Sequence, residues 1–319
     1  MHRYRVYGIT LASELRHSLP DELPDASGDS VVQLTVAPPD AFGRLTGKFP
    51  SDADEWVLHE TLEDGSLYMR WEHSLELLVS SDGKSVLCGN RSHVALEAFD
   101  AYLTNFAVSA ALLQQGEEPL HATVVEIGDR AIGLVGPSGA GKSTLAAHLI
   151  NRNWDLVTDD MLRLTFDGNK VLAHPGPHRL KLFKDSAERY LQTAICCGGF
   201  DPAHDRVGNP LNEKLVFQPR GQITVRNARR VSALFHLDPS SSDSEPNKIL
   251  VTPLAGQDLF TTILSSTMNS RHDLPARLHR QFRFAERIAR TIPVYKIAYP
   301  RSYDVLNIVE DQICQTVLH

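Results

Sequence analysis

Apolar and polar positions alternate with a two-residue period through much of the first ninety-three residues. RYRVYGITLAS, VVQLTVA and SLELLVS read as strands, set apart by the turn-rich LPDELPDASGD and APPDAFG. Trp56, Tyr68 and Trp71 fall in this region and are expected to pack in its layer. At Val94 the period lengthens. VALEAFDAYLTNFAVSAALLQQG sets Leu96, Phe99, Leu103, Phe106, Ala110 and Leu113 along one helical stripe, with Gly116 as a stop. LHATVVEIGDRAIGLVG then predicts two strands joined by a tight Gly128-Asp129 turn, hence antiparallel neighbours. STLAAHLI returns to helical spacing with Leu145, Leu149 and Ile150, and NRNWDLVTDDMLRLTF predicts a strand ending at Asp159-Asp160. Further on, VSALFHLDP, KILVTPL and IPVYKIAYP predict strands; LFTTILSSTM, LPARLHRQFRFAERIARTI and the closing VLNIVEDQICQTVL predict helices. The polar, Gly-bearing stretch from Cys196 to Leu215 predicts a long loop or lid.

With 319 residues the chain can bury a full core, and the change of period divides it into a β-rich part, 1–93, and a larger α/β part, 94–319. A mildly acidic net charge of −7 gives no sign of a general nucleic-acid binder, and no nucleic-acid partner is expected. No apolar run is long enough to span a bilayer, and MHRYRVYGITLASEL lacks the apolar centre of a signal peptide, so a cytoplasmic protein without a membrane partner is expected. Cys88, Cys196, Cys197 and Cys314 have no metal-ligand spacing and are expected as reduced thiols.

The chemistry begins between the second strand and the helix that follows it, where GPSGAGKS fits G-x-x-x-x-G-K-[ST]. Gly136, Gly139 and Gly141 let backbone N–H groups approach phosphate oxygens, with Pro137, Ser138, Ala140 and Thr144 completing the cradle. Lys142 is placed to reach β- and γ-phosphates, and the Ser143 hydroxyl is a natural Mg²⁺ ligand. There is no N-K-x-D segment for guanine and no LSGGQ-like segment of a transporter ATPase, which favours ATP. Asp159 is the candidate base for a hydroxyl acceptor and Asp160 a second Mg²⁺ ligand, with the two roles open to exchange. His121 opens a strand beside the P-loop strand, within reach of the aspartates. Lys214 is the first candidate for an additional cation and Arg179 the second, ahead of Lys181 and Arg220.

LHATVV followed by GPSGAGKSTLAAHLINRNWDLVTDDM resembles the catalytic domain of HPr kinase/phosphorylase and the related serine kinases, including those of lasso-peptide pathways. His121 and Asp159-Asp160 stand where that family has a His one hairpin before the P-loop and a paired Asp after it. The resemblance implies a P-loop mixed β-sheet flanked by helices, like those of HPr kinase and phosphoenolpyruvate carboxykinase, beside a smaller β-rich N-terminal domain. It further implies ATP and Mg²⁺, a serine-type hydroxyl acceptor on a protein, modified peptide or small molecule, and a homo-oligomer. The family's Glu-x-Arg-Gly signature is absent and HPGPHRLKL stands in its place, so neither HPr as substrate nor a reverse phosphorylase activity is implied. A nucleotide-dependent switch or slow ATPase and a carboxykinase-like enzyme are the alternatives.

Overall fold

The computed structural model describes the chain except residues 18, 20–29, 39–40, 47–56, 72–74, 91–95, 191–194, 200–213, 219–226, 241–248, 271, 273 and 319. Trp56 and Arg220 therefore lie outside the described residues. Two compact units emerge, Met1–Glu117 with Cys196–Val216, and Glu118–Ile195 with Phe217–His319.

The first unit carries a seven-stranded sheet: β1 (His2–Val6), β2 (Ile9–Ser13), β3 (Val31–Val36), β4 (Val57–Thr61), β5 (Leu67–Trp71), β6 (Leu75–Val79) and β7 (Ser85–Asn90), in the order β1-β2-β3-β7-β6-β5-β4. A one-turn helix α1 (Gly43–Thr46) follows β3. RYRVYGITLAS is not one strand but a hairpin, because Tyr7 and Gly8 both take positive φ (52° and 69°), the backbone of a two-residue turn. Tyr68 and Trp71 are buried as expected, the Tyr68 hydroxyl donating to Glu76 Oε1 at 2.6 Å. The predicted helix is α2 (Leu96–Tyr102) and α3 (Val108–Gln114) joined by a wide π turn, Leu103–Ala107. Phe99, Leu103, Ala110 and Leu113 are buried, and Gly116 (φ 84°) ends the run as predicted.

Met1–Glu117 is one stretch of the first unit, so α2 and α3 lie in the same unit as the N-terminal sheet. The Tyr7 hydroxyl donates to Asn105 Oδ1 at 2.8 Å, and His17 Nδ1 meets Asp100 Oδ1 at 2.5 Å. Gln114 and Gln115 side-chain amides donate to the Gly65 and Gly83 carbonyls.

The second unit begins with β8 (Ala122–Ile127) and β9 (Arg130–Val135), paired antiparallel across the Gly128-Asp129 turn, as that turn predicts. Then follow α4 (Lys142–Asn151), β10 (Asp155–Thr158), β11 (Leu164–Asp167), β12 (Lys170–Ala173), β13 (Leu180–Phe183) and α5 (Lys184–Tyr190). The predicted lid, which belongs to the first unit from Cys196 to Val216, begins and ends as strands, β14 (Ile195–Gly199) and β15 (Lys214–Gln218); its middle lies outside the described residues, as does the Lys214 side chain. The chain closes with β16 (Arg229–Ser240), β17 (Leu250–Pro253), α6 (Gly256–Ser265), α7 (Pro275–Thr291), β18 (Val294–Pro300) and α8 (Leu306–Leu318). Of these strands, β8 to β12 and β16 to β18 make a mixed sheet in the order β10-β8-β9-β16-β12-β11, with β18 on β16 and β17 on β18. Residues of α6 and α7, among them Leu259, Ile263, Ala285 and Ile288, share one apolar core with Val124, Val135, Leu234 and Val294 of the sheet. The chain is thus a mixed α/β protein with helix-flanked sheets and a β-rich N-terminal part. Among the described residues no helix is long and apolar enough to cross a membrane.

One buried ion pair fixes the start of β8. Glu118 and Arg277 are each only 2% exposed, with Arg277 Nε 3.1 Å from Glu118 Oε2. The same guanidinium donates to the Met268, Asn269 and His272 carbonyls, holding the loop after α6. That loop region in turn pins His121, whose N–H donates to the Ser266 carbonyl at 2.7 Å. Glu118→Ala strands the Arg277 charge away from water, and a loss of about 3–5 kcal/mol is expected in denaturant unfolding. A loss below about 1 kcal/mol would show that the pair does not hold this region.

Candidate nucleotide site

Strand direction gathers the site at one edge of the sheet. β9 and β10 both run antiparallel to β8, and β16 and β18 run parallel with β9. The ends of β9, β10, β16 and β18 and the start of β8 therefore face the same way.

Residues 136–141 leave β9 and turn into α4. Gly136 has φ 140°, and a Cβ there would sit 3.1 Å from the Leu237 carbonyl oxygen. Gly141, at φ 90°, is the N-cap of α4. The tip Pro137, Ser138 and Gly139 is exposed, while Ala140 is buried. Lys142 is buried, and its ammonium donates to the Gly136 and Pro137 carbonyls at 2.8 and 3.1 Å. The first-turn N–H groups of α4 have no partners within the helix, and its positive end faces the loop.

The Asp159 carboxylate lies against this loop. Its Oδ1 accepts from Ser143 at 3.2 Å and Thr123 at 2.6 Å, and its Oδ2 accepts from the Lys181 backbone N–H at 3.0 Å. Asp159 is 5% exposed; burial pushes its pKa up, and the neighbouring Asp160 charge adds to the shift. Asp160 sits in a left-handed turn, φ 65°, with its side chain partly exposed and 2.6 Å from Lys181 Nζ. His121 precedes Thr123 by two residues in the same extended run, so the pleat puts both on one face, about 7 Å apart. Arg179 is buried immediately before β13. Lys181, two residues later, brings its ammonium to Asp160.

Residues without a role in the sequence reading also converge here. The Thr144 hydroxyl lies 3.2 Å from Ser186 Oγ, which lies 3.0 Å from the Tyr303 hydroxyl. Arg301 donates to the Gly139 carbonyl at 3.1 Å, and the Tyr299 hydroxyl lies 3.4 Å from the Ala140 carbonyl. Burial pushes the Tyr299 phenol up to about 12. His236 pairs with Val135, and its buried Nδ1 has no hydrogen-bond partner among the described residues. Burial lowers the His236 pKa; Asp238 opposes the shift, while Lys296 and Lys142 add to it. Thr123 was legible in principle, since alternation from His121 puts it on the same face. Arg301 and Tyr303 come from more than 150 residues away and carried no local signal.

Among the described residues no cluster of three or more His, Cys, Asp or Glu could hold a metal ion. Mg²⁺ makes no such demand, because it is bound through one or two protein oxygens together with phosphates and water. Adjacent oxygens in its octahedron lie about 3 Å apart. Ser143 Oγ and Asp159 Oδ1, at 3.2 Å, fit that spacing.

No protein-family model matches the chain. Over 143 residues it is 27% identical to an HPr kinase/phosphorylase of Lactobacillus johnsonii, covering 37% of this chain and 44% of that protein. Over 173 residues it is 25% identical to an HPr kinase/phosphorylase of Lactobacillus gasseri, covering 44% of this chain and 54% of that protein. The chain thus spans about half the length of these curated relatives, and over that stretch it is similar to HPr kinase/phosphorylases. Among solved structures, the HPr(Ser) kinase/phosphatase from Coxiella burnetii aligns with 63% of this chain and 96% of its own, at 16% identity and a TM-score of 0.33.

The raised Asp159 pKa has a measurable sign. A carboxyl whose folded pKa exceeds its unfolded value contributes stability at low pH that is lost as pH rises through the folded value. Asp159→Asn removes this dependence, and its amide can serve the same hydroxyls with donor and acceptor exchanged. The melting temperature of Asp159→Asn relative to the unsubstituted protein should therefore climb from about pH 4 toward neutrality. A difference that stays flat or falls over that range contradicts the assignment.

Proposed function

We propose that this chain is an ATP-dependent kinase that transfers the γ-phosphate to a serine-type hydroxyl of a protein, a modified peptide or a small molecule. The observation that carries the proposal is a buried carboxylate, Asp159, hydrogen-bonded to the P-loop Ser143, with a second carboxylate and a lysine beside it. Phosphoryl transfer demands positioning and charge neutralisation rather than covalent help from the protein. The relation to HPr kinase/phosphorylases over part of the chain supports the same reaction class.

In this reading residues 136–144 cradle the phosphates, and Lys142 leaves its two loop carbonyls to meet the β- and γ-oxygens. Ser143 and Asp159 hold Mg²⁺, which when bound neutralises phosphate charge. The geometry favours exchanging the two aspartate roles. Asp159 is buried and both its oxygens already accept hydrogen bonds, whereas Asp160 is partly exposed and able to touch an acceptor. Asp160 then accepts the hydroxyl proton, and Lys181 holds that carboxylate in place and supplies positive charge beside the transferring group. His121 stands on the same face of the β8 run as Thr123 and orients the acceptor side of the site. Arg179 and Lys214 remain candidates for closing over the phosphates.

Incubation with γ-labelled ATP and candidate peptides or extracts should give an acid-stable, alkali-labile phosphoester. Release of inorganic phosphate alone, from folded and ATP-bound protein across a broad acceptor panel, favours the slow ATPase instead. Lys142→Ala should abolish Mg·ATP binding or turnover in calorimetric and kinetic assays; no change in either sinks the nucleotide reading. Asp160→Asn should cut transfer by about 10²–10⁴ while nucleotide binding persists. If Asp159→Asn alone gives that pattern, the base is Asp159.

A further inference from the structure

We propose that a surface built around Tyr303, with Arg189 and Arg301, receives the base of the bound nucleotide, a planar purine stacking on the Tyr303 ring. The inference rests on the nucleotide reading of the loop and adds where the nucleoside lies. The two ends of the triphosphate are distinguished by the loop itself. Lys142, Ser143 and the aspartates define the β/γ end, while the backbone cradle continues to the α-phosphate. The nucleoside must therefore leave on the side away from Asp159.

Successive helical residues point about 100° apart. Ser143 turns to Asp159, and the next residue, Thr144, turns instead to Ser186. From Ser186 the hydroxyl chain reaches Tyr303, whose hydroxyl also donates to Asp185 Oδ2 at 2.6 Å. Two hydrogen bonds thus fix the ring on the Thr144 side of the loop. Arg301, exposed, holds the Gly139 carbonyl at the same tip.

The Tyr303 ring already carries a planar guest. The Arg189 guanidinium lies 5.1 Å over its centroid, tethered to the exposed Asp304 at 3.3 Å. That guanidinium is half exposed, and exposed ion pairs of this kind hold weakly. A purine is a flat π-system of similar thickness, and replaces Arg189 at the ring with Arg189 and Arg301 flanking it. Tyr190, 5.8 Å from Tyr303 and edge-on, backs the ring rather than covering it.

The test compares Mg·ATP with inorganic triphosphate in calorimetric titration. The unsubstituted protein should bind ATP about 5- to 100-fold more tightly than triphosphate. Tyr303→Ala should lose that margin for ATP while binding triphosphate as before. Tyr303→Phe, which keeps the ring, should retain most of it. Equal affinity of the unsubstituted protein for ATP and triphosphate overturns the proposal without requiring any variant to fold. So does a folded Tyr303→Ala whose ATP affinity is unchanged, or whose affinities for both ligands fall equally. Failure of the unsubstituted protein to bind either ligand overturns the nucleotide reading, and the base site with it.

Discussion

The Asp159 carboxylate is the constraint on which the site depends. Its two oxygens accept from a strand hydroxyl, a P-loop hydroxyl and the backbone of a separate strand. A buried charge without such partners costs several kcal/mol, so the carboxylate draws all three segments toward itself. Thr123, Ser143 and Lys181 belong to β8, α4 and β13, three separate elements of the second unit. Hydrogen bonding alone does not cancel the cost of burial, since the carboxyl remains shifted toward its neutral form.

Around that knot the fold supplies rigidity in layers. The Glu118–Arg277 pair and the His121–Ser266 bond hold the start of β8 from the side of α6 and α7. On the other side, Glu310 of α8 accepts from Trp154 and meets His148 and Arg152, tying α4 to the closing helix. The P-loop is thus supported at the strand before it and along the helix after it, while its tip remains exposed. Such an arrangement allows a phosphate group to enter without moving the scaffold.

Legibility from sequence followed distance along the chain. GPSGAGKS, the Gly128-Asp129 hairpin and the strand ending at Asp159-Asp160 all lie within about forty residues, and local spacing was enough to order them. The placement of Lys181 was not local: it depends on β13 returning beside Asp159, which no periodicity encodes. Leu96 to Leu113 read correctly as helix, yet the packing that assigns this helix to the N-terminal sheet runs through Tyr7, His17, Gly65 and Gly83. The hairpin in RYRVYGITLAS was hidden because its turn puts a bulky Tyr at positive φ, which propensity disfavours and the Tyr7–Asn105 bond helps to hold. Composition alone predicted loop at both ends of Cys196–Leu215, whereas pairing with other strands can impose extended backbone there.

The central place of β16 also bears on how the protein is made. β9 is paired with β8 as soon as a two-residue turn has been synthesised, but its other edge waits for β16. Ninety-three residues separate Val135 from Arg229, about 5–20 s of translation at ordinary rates. Throughout that interval the apolar strand that feeds the P-loop presents an unpaired edge, the kind of surface on which nascent chains join one another. Chaperone dependence and co-translational aggregation should therefore respond most to the length and speed of the stretch between these two strands, a selective pressure on the intervening sequence that has nothing to do with catalysis.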